Sequence, residues 1–522
     1  GEMTQMLDEF TEELLEELAE GGTVPEPGRQ KHIVDLYDAV ANSQGTTGEI
    51  VSFFAALKSA AQDGISFSAL GYTHEQLVAL CNRHEDVDEH GVSLGGRVNQ
   101  ALRITAEANH RVKAYLARKD NEAPSGVELW DEIQKNQVRI KRALGMAASD
   151  WNSFSGQLRF AINDVETLAR CINLPVDAIR DVTRVTGKYR MRLTPYYASL
   201  IMANQKNDPV LLQAVPTAEM VDNVGQEIPP VAADHSPARL IDQFYPRVVT
   251  IKATNMCAMY CTHCLRIAHI GGHDHVYKRE AYKEALDYIR SNPRIRDVLI
   301  TGGDAFMLPN KTLRWLLNQL DAIDHLKLKR LGTRVPVTTP QRIDEELLDI
   351  LEESNTKGPV RVVTQINTAQ EVTPVSHQAY QAISKHVSAV LNQAVLLRGI
   401  NDHWVKMWKL CETIQEAYVR PYYIFNCSFR NPQYTHMRVP LEKGRDIVES
   451  MYGNLSGDAI PRYIATAGGK IPLHRSNVLR YEDGQAVLKK PWNGEEVTYP
   501  DADQSLYEAE YGFAFNKYGL ES

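Results

Sequence analysis

The sequence predicts an α/β chain whose centre is an open, partial (β/α)6 barrel, with an all-helical N-terminal extension and a small C-terminal α+β segment. Three observations predict this class: six short β-branched runs recur between residues 247 and 426, helical stretches separate them, and polar or glycine-rich residues follow each run. Such alternation indicates a parallel sheet with right-handed crossovers. Six units are too few to close an eight-stranded barrel, so we expect an open one.

The six predicted strands share a richness in valine, isoleucine and threonine, which favour the pleated sheet. We place them at 247–254, 297–303, 329–335, 360–366, 388–397 and 419–426. Stretches with apolar residues at helical spacing lie between them, such as REAYKEALDYIRS, KTLRWLLNQLDAI, DEELLDILEES and WVKMWKLCETIQEAY. Each strand therefore has a helix to return the chain to the next strand.

Along the chain, the pattern predicts four parts. Residues 1–145 form a helical N-terminal extension without a chemical motif, and 146–245 form a second helical region. Residues 246–426 form the barrel core, and 427–522 form a C-terminal segment that carries a lysine after two glycines. The sequence does not choose among binding, regulation and subunit packing for the extension.

Composition excludes several classes of function. The chain has 522 residues, 43% of them hydrophobic, and a formal net charge of −9, which argues against a nucleic-acid partner. We find no apolar run long enough for a membrane helix and no signal-peptide pattern. The other four cysteines are scattered along the chain, which is typical of free thiols in a reducing compartment: Cys81, Cys171, Cys411 and Cys427. We expect a cytoplasmic protein with no membrane partner.

Three of the seven cysteines lie within eight residues, in CAMYCTHC. Cys257, Cys261 and Cys264 follow the first predicted strand, at the edge where parallel barrels bind their ligands. Thiolates bind iron or zinc, and a structural zinc takes four ligands, so His263 could complete a zinc site. Alternatively, three thiolates hold an iron–sulfur cubane with one iron open to a small molecule. The spacing alone leaves both sites possible.

Two glycine-rich stretches carry further candidates. TGGD ends the second predicted strand, and its glycines allow a close backbone approach, with Asp304 next to it. TAGGK places Lys470 beyond the sixth predicted strand, where a lysine amine could form a Schiff base with an aldehyde cofactor such as pyridoxal phosphate. Read alone, either stretch is also an ordinary turn.

These stretches together resemble the lysine 2,3-aminomutase family, whose members are radical SAM enzymes that also carry pyridoxal phosphate. The resemblance runs from 150–163 to 487–500 and leaves out residues 1 to about 145. The stretches that carry it are RLTPYYASLI, NDPVLLQAVPTA, YPRVV, CAMYCTHCLR, TGGDAFML, TPQRI, NQAVLLRGIND, VRPYYIF and GGKIP.

The resemblance implies a partial radical SAM barrel that holds three cofactors. Cys257, Cys261 and Cys264 would hold a [4Fe-4S] cluster, and S-adenosyl-L-methionine would bind its open iron. The residues implied around S-adenosyl-L-methionine are Asp304, Gln365, Asn367 and Gln393.

For pyridoxal 5'-phosphate, the resemblance implies Lys470 as the carrier and Arg247 as a phosphate contact. Gln243 stands where the family has a second phosphate arginine, and Phe425 stands where the family often has tyrosine. Arg266 matches the arginine that pairs with the substrate carboxylate, a task that suits the bidentate guanidinium.

The sequence departs from the lysine-specific members where two aspartates hold the distal ammonium of the substrate. Ser428 replaces one, and Ala465 or Thr466 stands near the other. A buried ammonium without a carboxylate partner is costly, so we expect a substrate other than lysine. Arg430 lies near enough in sequence to favour an acidic side chain, although a solvated loop arginine is an equal reading; a neutral amino acid is the other choice.

The implied activity is that of an isomerase, an amino acid 2,3-aminomutase that moves the α-amino group to Cβ and produces a β-amino acid. A low-potential donor such as flavodoxin or ferredoxin would reduce the cluster. The alternatives are a radical SAM and pyridoxal phosphate enzyme that ends in elimination or oxidation, and a zinc-binding regulatory protein on a decayed barrel. The C-terminal zinc cysteines of lysine-specific members are absent, so that metal would not join subunits here. We expect a dimer or tetramer whose contacts come from the helical extension.

Overall fold

The computed structural model describes residues 111–503, except 175, 203–206, 224–235, 271 and 276. The chain divides into two compact units, residues 1–113 and 114–522. Residues 111–122 are helical. The helices predicted within residues 1–110 lie outside the described residues. Among the residues that are described, no helix has the length and apolar character needed to cross a membrane.

In the described part of the chain, eight helices lie between residues 111–122 and the sheet: α1 Trp130–Leu144, α2 Ala148–Trp151, α3 Phe154–Arg159, α4 Val165–Cys171, α5 Val176–Thr186, α6 Pro195–Ser199, α7 Pro209–Ala214 and α8 Glu219–Asp222. Several begin where a side-chain oxygen accepts from a free backbone N–H of the first turn: Ser153, Asp164, Thr194 and Asp208. The sequence-based division places α1 in the N-terminal extension, yet α1 packs with the helices that follow it. Its buried Asn136 donates to the carbonyls of Ser199 and Ile201.

A single nine-stranded sheet forms the centre of the molecule, with its strands in chain order from β1 to β9. The strands are β1 Ile241–Tyr245, β2 Val248–Thr254, β3 Asp297–Gly302, β4 Leu328–Gly332, β5 Val360–Thr364, β6 Ala389–Leu396, β7 Arg420–Asn426, β8 Arg462–Thr466 and β9 Lys470–Pro472. β2 to β8 pair in parallel, while β1 and β9 pair antiparallel at the two edges. All six predicted strands are present, as β2 to β7, and the partial-barrel fold class is confirmed.

The sequence did not predict β8, a seventh parallel strand that continues the barrel beyond residue 426. β8 leads directly into β9, so Lys470 belongs to the same sheet as the cysteine-bearing end of β2. A second, three-stranded antiparallel sheet follows, made of β10 Val478–Glu482, β11 Gln485–Lys489 and β12 Glu496–Pro500. The buried Tyr499 of β12 donates to Asn426 at the end of β7, which ties this small sheet to the barrel.

Helices on the outside of the sheet make the crossovers. They are α9 Ile267–Ile270, α10 Lys283–Arg290, α11 Asn310–Asp321, α12 Val335–Thr338, α13 Glu345–Lys357, α14 Pro374–His386, α15 Trp404–Glu416 and α16 Leu441–Glu449. Alternation along β3 shows the two faces: Val298 and Ile300 join the core under the helices, whereas Leu299 and Thr301 line a cavity on the inner face. The interior of the open barrel is therefore the place for a ligand.

Candidate active site

A cavity of about 280 Å³ lies at the carboxyl ends of the parallel strands. Many of the residues singled out from the sequence border it, among them Cys257, Cys261, His263, Cys264, Arg266, Asp304, Gln365, Gln393 and Phe425. These residues come from loops and strands spread over 170 positions of sequence, and the parallel sheet brings them together because its strands all end at one edge.

The cysteine loop is held in place by the helical region that precedes the barrel. The backbone N–H of Thr262 donates to the carbonyl of Gln213 over 2.9 Å, and its hydroxyl donates to the carbonyl of Leu212 over 2.7 Å. The N–H of Tyr260 donates to the carbonyl of Arg192 over 3.0 Å. Since α7 supplies two of these acceptors, the shape of the loop depends on contacts outside the barrel.

The thiols of this loop lie in surroundings that oppose their ionisation. Burial, with the negative charge of Cys261 adding to it, raises the pKa of Cys264 to about 12. Burial also raises the pKa of Cys257, and the nearby carboxyl of Asp304 adds to that effect. Thiols such as Cys257 and Cys264 become thiolates only beside a strong positive charge, which a cationic metal centre supplies.

The donor set fits a cluster better than a single zinc ion. A single ion needs its ligands within about 2.3 Å of one point, whereas a cubane holds its thiolates at separate corners. In the described part of the chain, no three His, Cys, Asp or Glu side chains converge on one ion. His263, the candidate fourth zinc ligand, instead contacts the Gln365 side chain through Nε2 at 3.0 Å. Nδ1 of His263 is buried without a hydrogen-bond partner, but it does not converge with the thiols on one point, so the described side chains are not arranged as a zinc site.

The TGGD turn packs against the beginning of the cysteine loop. Asp304 donates its backbone N–H to the carbonyl of Met256 over 2.8 Å. A Cβ on Gly303 would lie 2.3 Å from that same carbonyl oxygen, so only glycine fits there. The sequence suggested that the glycines admit a ligand; the structure shows that they admit the chain's own cysteine loop. The carboxylate of Asp304 accepts from the N–H groups of Phe306 and Arg334, which aims it at the cavity.

Gln365 and Gln393 border the cavity, but Asn367 does not. Asn367 is fully buried, donates to the side-chain oxygen of Gln213 over 2.9 Å, and accepts from the N–H of Val395 over 2.9 Å. Because its amide is occupied by protein partners on α7 and β6, it supports the site from behind and presents no free group to the cavity.

Arg266 forms an ion pair that the sequence did not predict. Its guanidinium lies 3.2 Å from the carboxylate of Asp242 on β1, and Lys252 on β2 lies 3.0 Å from the other oxygen of that carboxylate. Burial acts to raise the pKa of Asp242, but these two cations outweigh it and hold that pKa below its usual range. Two cations share one anion, which leaves a net positive charge at this wall of the site.

Lys470 begins β9 at a tight turn made by the two glycines before it. Gly468 and Gly469 have φ values of +69° and +140°, and a Cβ on Gly469 would meet the ring of Trp492 at 2.6 Å. The amine of Lys470 lies 4.8 Å from the ring centre of Tyr423 and 5.6 Å from that of Phe425. Since Phe425 also borders the cysteine-lined cavity, the lysine and the cysteines face one interior.

Arg330 on β4 is a candidate cofactor contact that the sequence reasoning missed. Its Nε is buried and makes no hydrogen bond. Burial chiefly, and the positive charge of Arg330 in addition, lower the pKa of Lys470 to about 8. An orphaned guanidinium nitrogen beside a low-pKa lysine fits an anionic aldehyde cofactor, which offers a carbonyl to the amine and a phosphate to the arginine. Pyridoxal phosphate has both groups.

We expect loading with pyridoxal phosphate to depend on pH through Lys470. Only the neutral amine attacks an aldehyde, so the loading rate should rise with pH and level off above about 8, well below the range of an ordinary lysine. In Arg330→Gln the midpoint should move to higher pH, because a neighbouring cation is removed. The measurement is the rate of absorbance change at a series of pH values.

Arg314→Gln is the matched control, since this surface arginine on α11 pairs with Glu353. The pH dependence of its loading rate should coincide with that of the wild type. An unchanged midpoint in Arg330→Gln would show that this guanidinium does not act on the amine, whatever it does to cofactor affinity.

The remaining predicted residues lie outside the cavity lining. Arg247 is exposed in the turn between β1 and β2, at the amino end of β2, and Gln243 nearby donates to the carbonyl of Tyr245. Ser428 accepts from the backbone N–H of Arg430 just beyond β7. The Arg430 side chain is partly buried. Their assigned roles in binding phosphate and substrate stay predictions.

Arg334 is the second residue that the sequence reasoning missed. It follows β4 directly, and its guanidinium donates to the thiol sulfur of Cys261 over 2.8 Å. The stretch KRLGTRV did offer a signal, since it carries three basic residues, Lys329, Arg330 and Arg334, within a predicted strand. Their roles depend on which way each side chain points, and the sequence does not show that.

Comparison with known proteins agrees with this geometry. Residues 251–408 match the Radical SAM superfamily. The chain is 36% identical over 413 residues to glutamate 2,3-aminomutase of Clostridioides difficile (strain 630), covering 77% of this chain and 96% of that protein. It is 36% identical over 358 residues to L-lysine 2,3-aminomutase of Clostridium subterminale (68% and 85%), and 34% identical over 385 residues to that of Bacillus subtilis (strain 168) (73% and 78%).

The radical SAM match implies S-adenosylmethionine and an iron–sulfur cluster, which agrees with a three-cysteine loop at the carboxyl end of β2. The curated relatives are aminomutases and therefore isomerases, and they match this chain over more than two thirds of its length. From the site and these matches together, the chain belongs to the lysine 2,3-aminomutase family of radical SAM enzymes.

Proposed function

We propose that this enzyme is a pyridoxal-phosphate-dependent 2,3-aminomutase that acts on an L-α-amino acid other than lysine and produces the β-amino acid. The observation that carries the proposal is the shared interior of Lys470 and the three cysteines. Phe425 borders the cysteine-lined cavity and lies 5.6 Å from the Lys470 amine, so a cofactor on the lysine would extend toward the cluster.

The bound groups would supply a radical that removes hydrogen from Cβ and an electron-delocalising ring that lets the nitrogen migrate. The chain's own part is positioning. Lys470 would hold the aldehyde cofactor, the ring of Phe425 would pack beside it, and Arg266 would bind the substrate carboxylate. The pairing of Arg266 with Asp242 holds the guanidinium in one orientation before substrate arrives.

The substrate side chain is expected to be acidic or neutral. In β8, Ala465 pairs with Ile471 and is fully buried in the core, whereas Thr466 pairs with Lys470. Directly opposed residues share a face, so Thr466 rather than Ala465 is the inner residue beside the lysine. Neither Thr466 nor Ser428 carries a charge, so a buried substrate ammonium would find no carboxylate partner at these two positions. Arg430, partly buried just beyond β7, is the candidate partner for an acidic side chain.

An anaerobic substrate screen tests the proposal. The full-length protein is reconstituted with iron, sulfide, pyridoxal phosphate, S-adenosylmethionine and a reductant, and incubated with each proteinogenic amino acid. A β-isomer of unchanged mass, formed from glutamate or a neutral amino acid but not from lysine, is the expected product. A lighter product would support elimination or oxidation instead. A colourless protein that does not cleave S-adenosylmethionine would support the zinc-binding alternative.

We also propose that the enzyme is a homo-oligomer whose contacts come from the N-terminal extension, and that flavodoxin or ferredoxin reduces it. The oligomer test should remove residues 1–113 rather than 1–145, because Ile133 and Ile140 of α1 are fully buried in the helical core. Light scattering should show a smaller particle for the truncated chain. An unchanged oligomer would refute the role of the extension.

A further inference from the structure

We propose that Arg334 raises the reduction potential of the iron–sulfur cluster by donating a hydrogen bond to the sulfur of Cys261. The proposal rests on the radical SAM site described above, since it concerns the cluster that the three cysteines would hold. It assigns a function to a residue that lies outside the cysteine loop and follows another strand.

The guanidinium of Arg334 donates through all three of its nitrogens. Nη1 donates to Cys261 Sγ over 2.8 Å, and Nε donates to the carbonyl of Gln365 over 3.0 Å. Nη2 donates to the side-chain oxygen of Gln213 over 3.0 Å, to Glu371 Oε1 over 2.5 Å and to the Tyr197 hydroxyl over 3.4 Å. Only 11% of the side chain is exposed. The N–H directed at Cys261 is therefore one arm of a planar fork whose Nε and Nη2 are bound elsewhere in the protein.

Glu371 holds that fork rigidly. Its carboxylate is fully buried and also accepts from the Tyr197 hydroxyl over 2.9 Å and from the backbone N–H of Asn367 over 2.8 Å. A buried ion pair with satisfied hydrogen bonds is costly to rearrange. Arg334 therefore cannot swing away when the sulfur gains negative charge, and its donor remains aimed at that atom.

Reduction of the cluster adds one electron and makes or breaks no bond, with no proton transferred. The added negative charge spreads partly onto the cysteine sulfurs, so a donor already aimed at one sulfur stabilises the reduced form more than the oxidised form. Hydrogen bonds to cluster sulfurs are among the features that set such potentials. The effect is greater in a buried, low-dielectric position than it would be in water. Removing the donor should make reduction harder.

The test is an EPR-monitored titration of the reconstituted full-length protein with a low-potential chemical reductant. In Arg334→Gln we expect the equilibrium constant for reduction to fall about tenfold, which is about 59 mV for one electron. In Arg334→Lys the equilibrium constant for reduction should lie between those of the wild type and Arg334→Gln. Lysine keeps the positive charge but lacks the planar guanidinium. Arg342→Lys is the matched control: Arg342 is also buried, but its Nε donates to the carbonyl of Phe306 and none of its contacts is a cysteine.

An unchanged potential in a fully loaded Arg334→Gln protein would overturn the inference and leave the proposed function intact. A wild-type protein that forms no cluster would overturn both. If Arg334→Gln does not assemble a cluster, the hydrogen bond is tested by pulsed EPR of wild-type protein labelled with ¹⁵N-arginine. A ¹⁵N coupling to the reduced cluster that persists in Arg266→Gln supports the hydrogen bond; the lack of any such coupling refutes it.

Discussion

Replacing Lys470 with alanine should yield a folded protein that has no pyridoxal absorbance after reconstitution, and turnover should fall by at least about 1,000-fold. The reason is that Lys470 is the amine positioned inside the barrel with a pKa of about 8 and with aromatic rings on one side. The measurement combines an absorbance spectrum, after removal of free cofactor, with product formation. Cluster content should stay the same, because the three cysteines belong to the loop after β2 and Lys470 is not among the residues that border their cavity.

Lys490→Ala is the matched control for this experiment. Lys490 lies next to the same glycine turn, 3.5 Å from the position of a Cβ on Gly468, but its amine is paired with Glu495 at 2.8 Å. This variant should keep both absorbance and activity. Retention of the absorbance in Lys470→Ala, or its loss in Lys490→Ala alone, would refute the assignment of the cofactor lysine.

Cys261→Ala should bind no cluster under anaerobic reconstitution and should leave S-adenosylmethionine uncleaved. Two thiols remain at the loop, and Nε2 of His263 is engaged with Gln365, so the cubane loses a thiolate at one corner. The measurements are iron and sulfide content, the visible spectrum and the yield of deoxyadenosine. Loading with pyridoxal phosphate should persist, because Lys470 does not depend on the cysteine loop for its turn.

Cys411→Ala gives the control, because this buried thiol lies within α15 in the core and contributes nothing to the cavity. We expect wild-type iron content from it. A Cys261→Ala protein with full iron content and activity would contradict the cluster assignment. If the wild type binds zinc and no iron, and Cys261→Ala binds less zinc than the wild type, the zinc-binding alternative is the better account.

Much of the fold followed from local patterns. The β-branched runs at 247–254, 297–303 and 419–426 became β2, β3 and β7 with boundaries that agree within a residue. Because strands that are buried under crossover helices need continuous apolar sequence, the runs are easy to recognise. β8 was missed because Arg462–Thr466 is short and precedes two glycines, and its pairing with β7 is a long-range contact.

The sequence likewise predicted some residues of the site and missed others. Cys257, Cys261 and Cys264 and the lysine after two glycines are visible because their chemistry depends on residue type and spacing. The role of Asn367 stays a prediction, and Arg334 was not considered, because both depend on side-chain direction. Asn367 turned out to support the site from behind, and Arg334 to contact a cysteine 73 residues away.

By itself, the sequence determined the fold class, the cysteine loop, the candidate cofactor lysine and the absence of the two aspartates that lysine-specific members use. Those features are local in the chain. Only the tertiary structure decided that Lys470 shares an interior with the cysteines, that Thr466 faces the lysine and that Arg334 reaches Cys261. Register decides which face of a strand a side chain occupies, and a shift of one residue would reverse it. That register is set by pairing between distant segments, so it emerges only when the sheet is assembled.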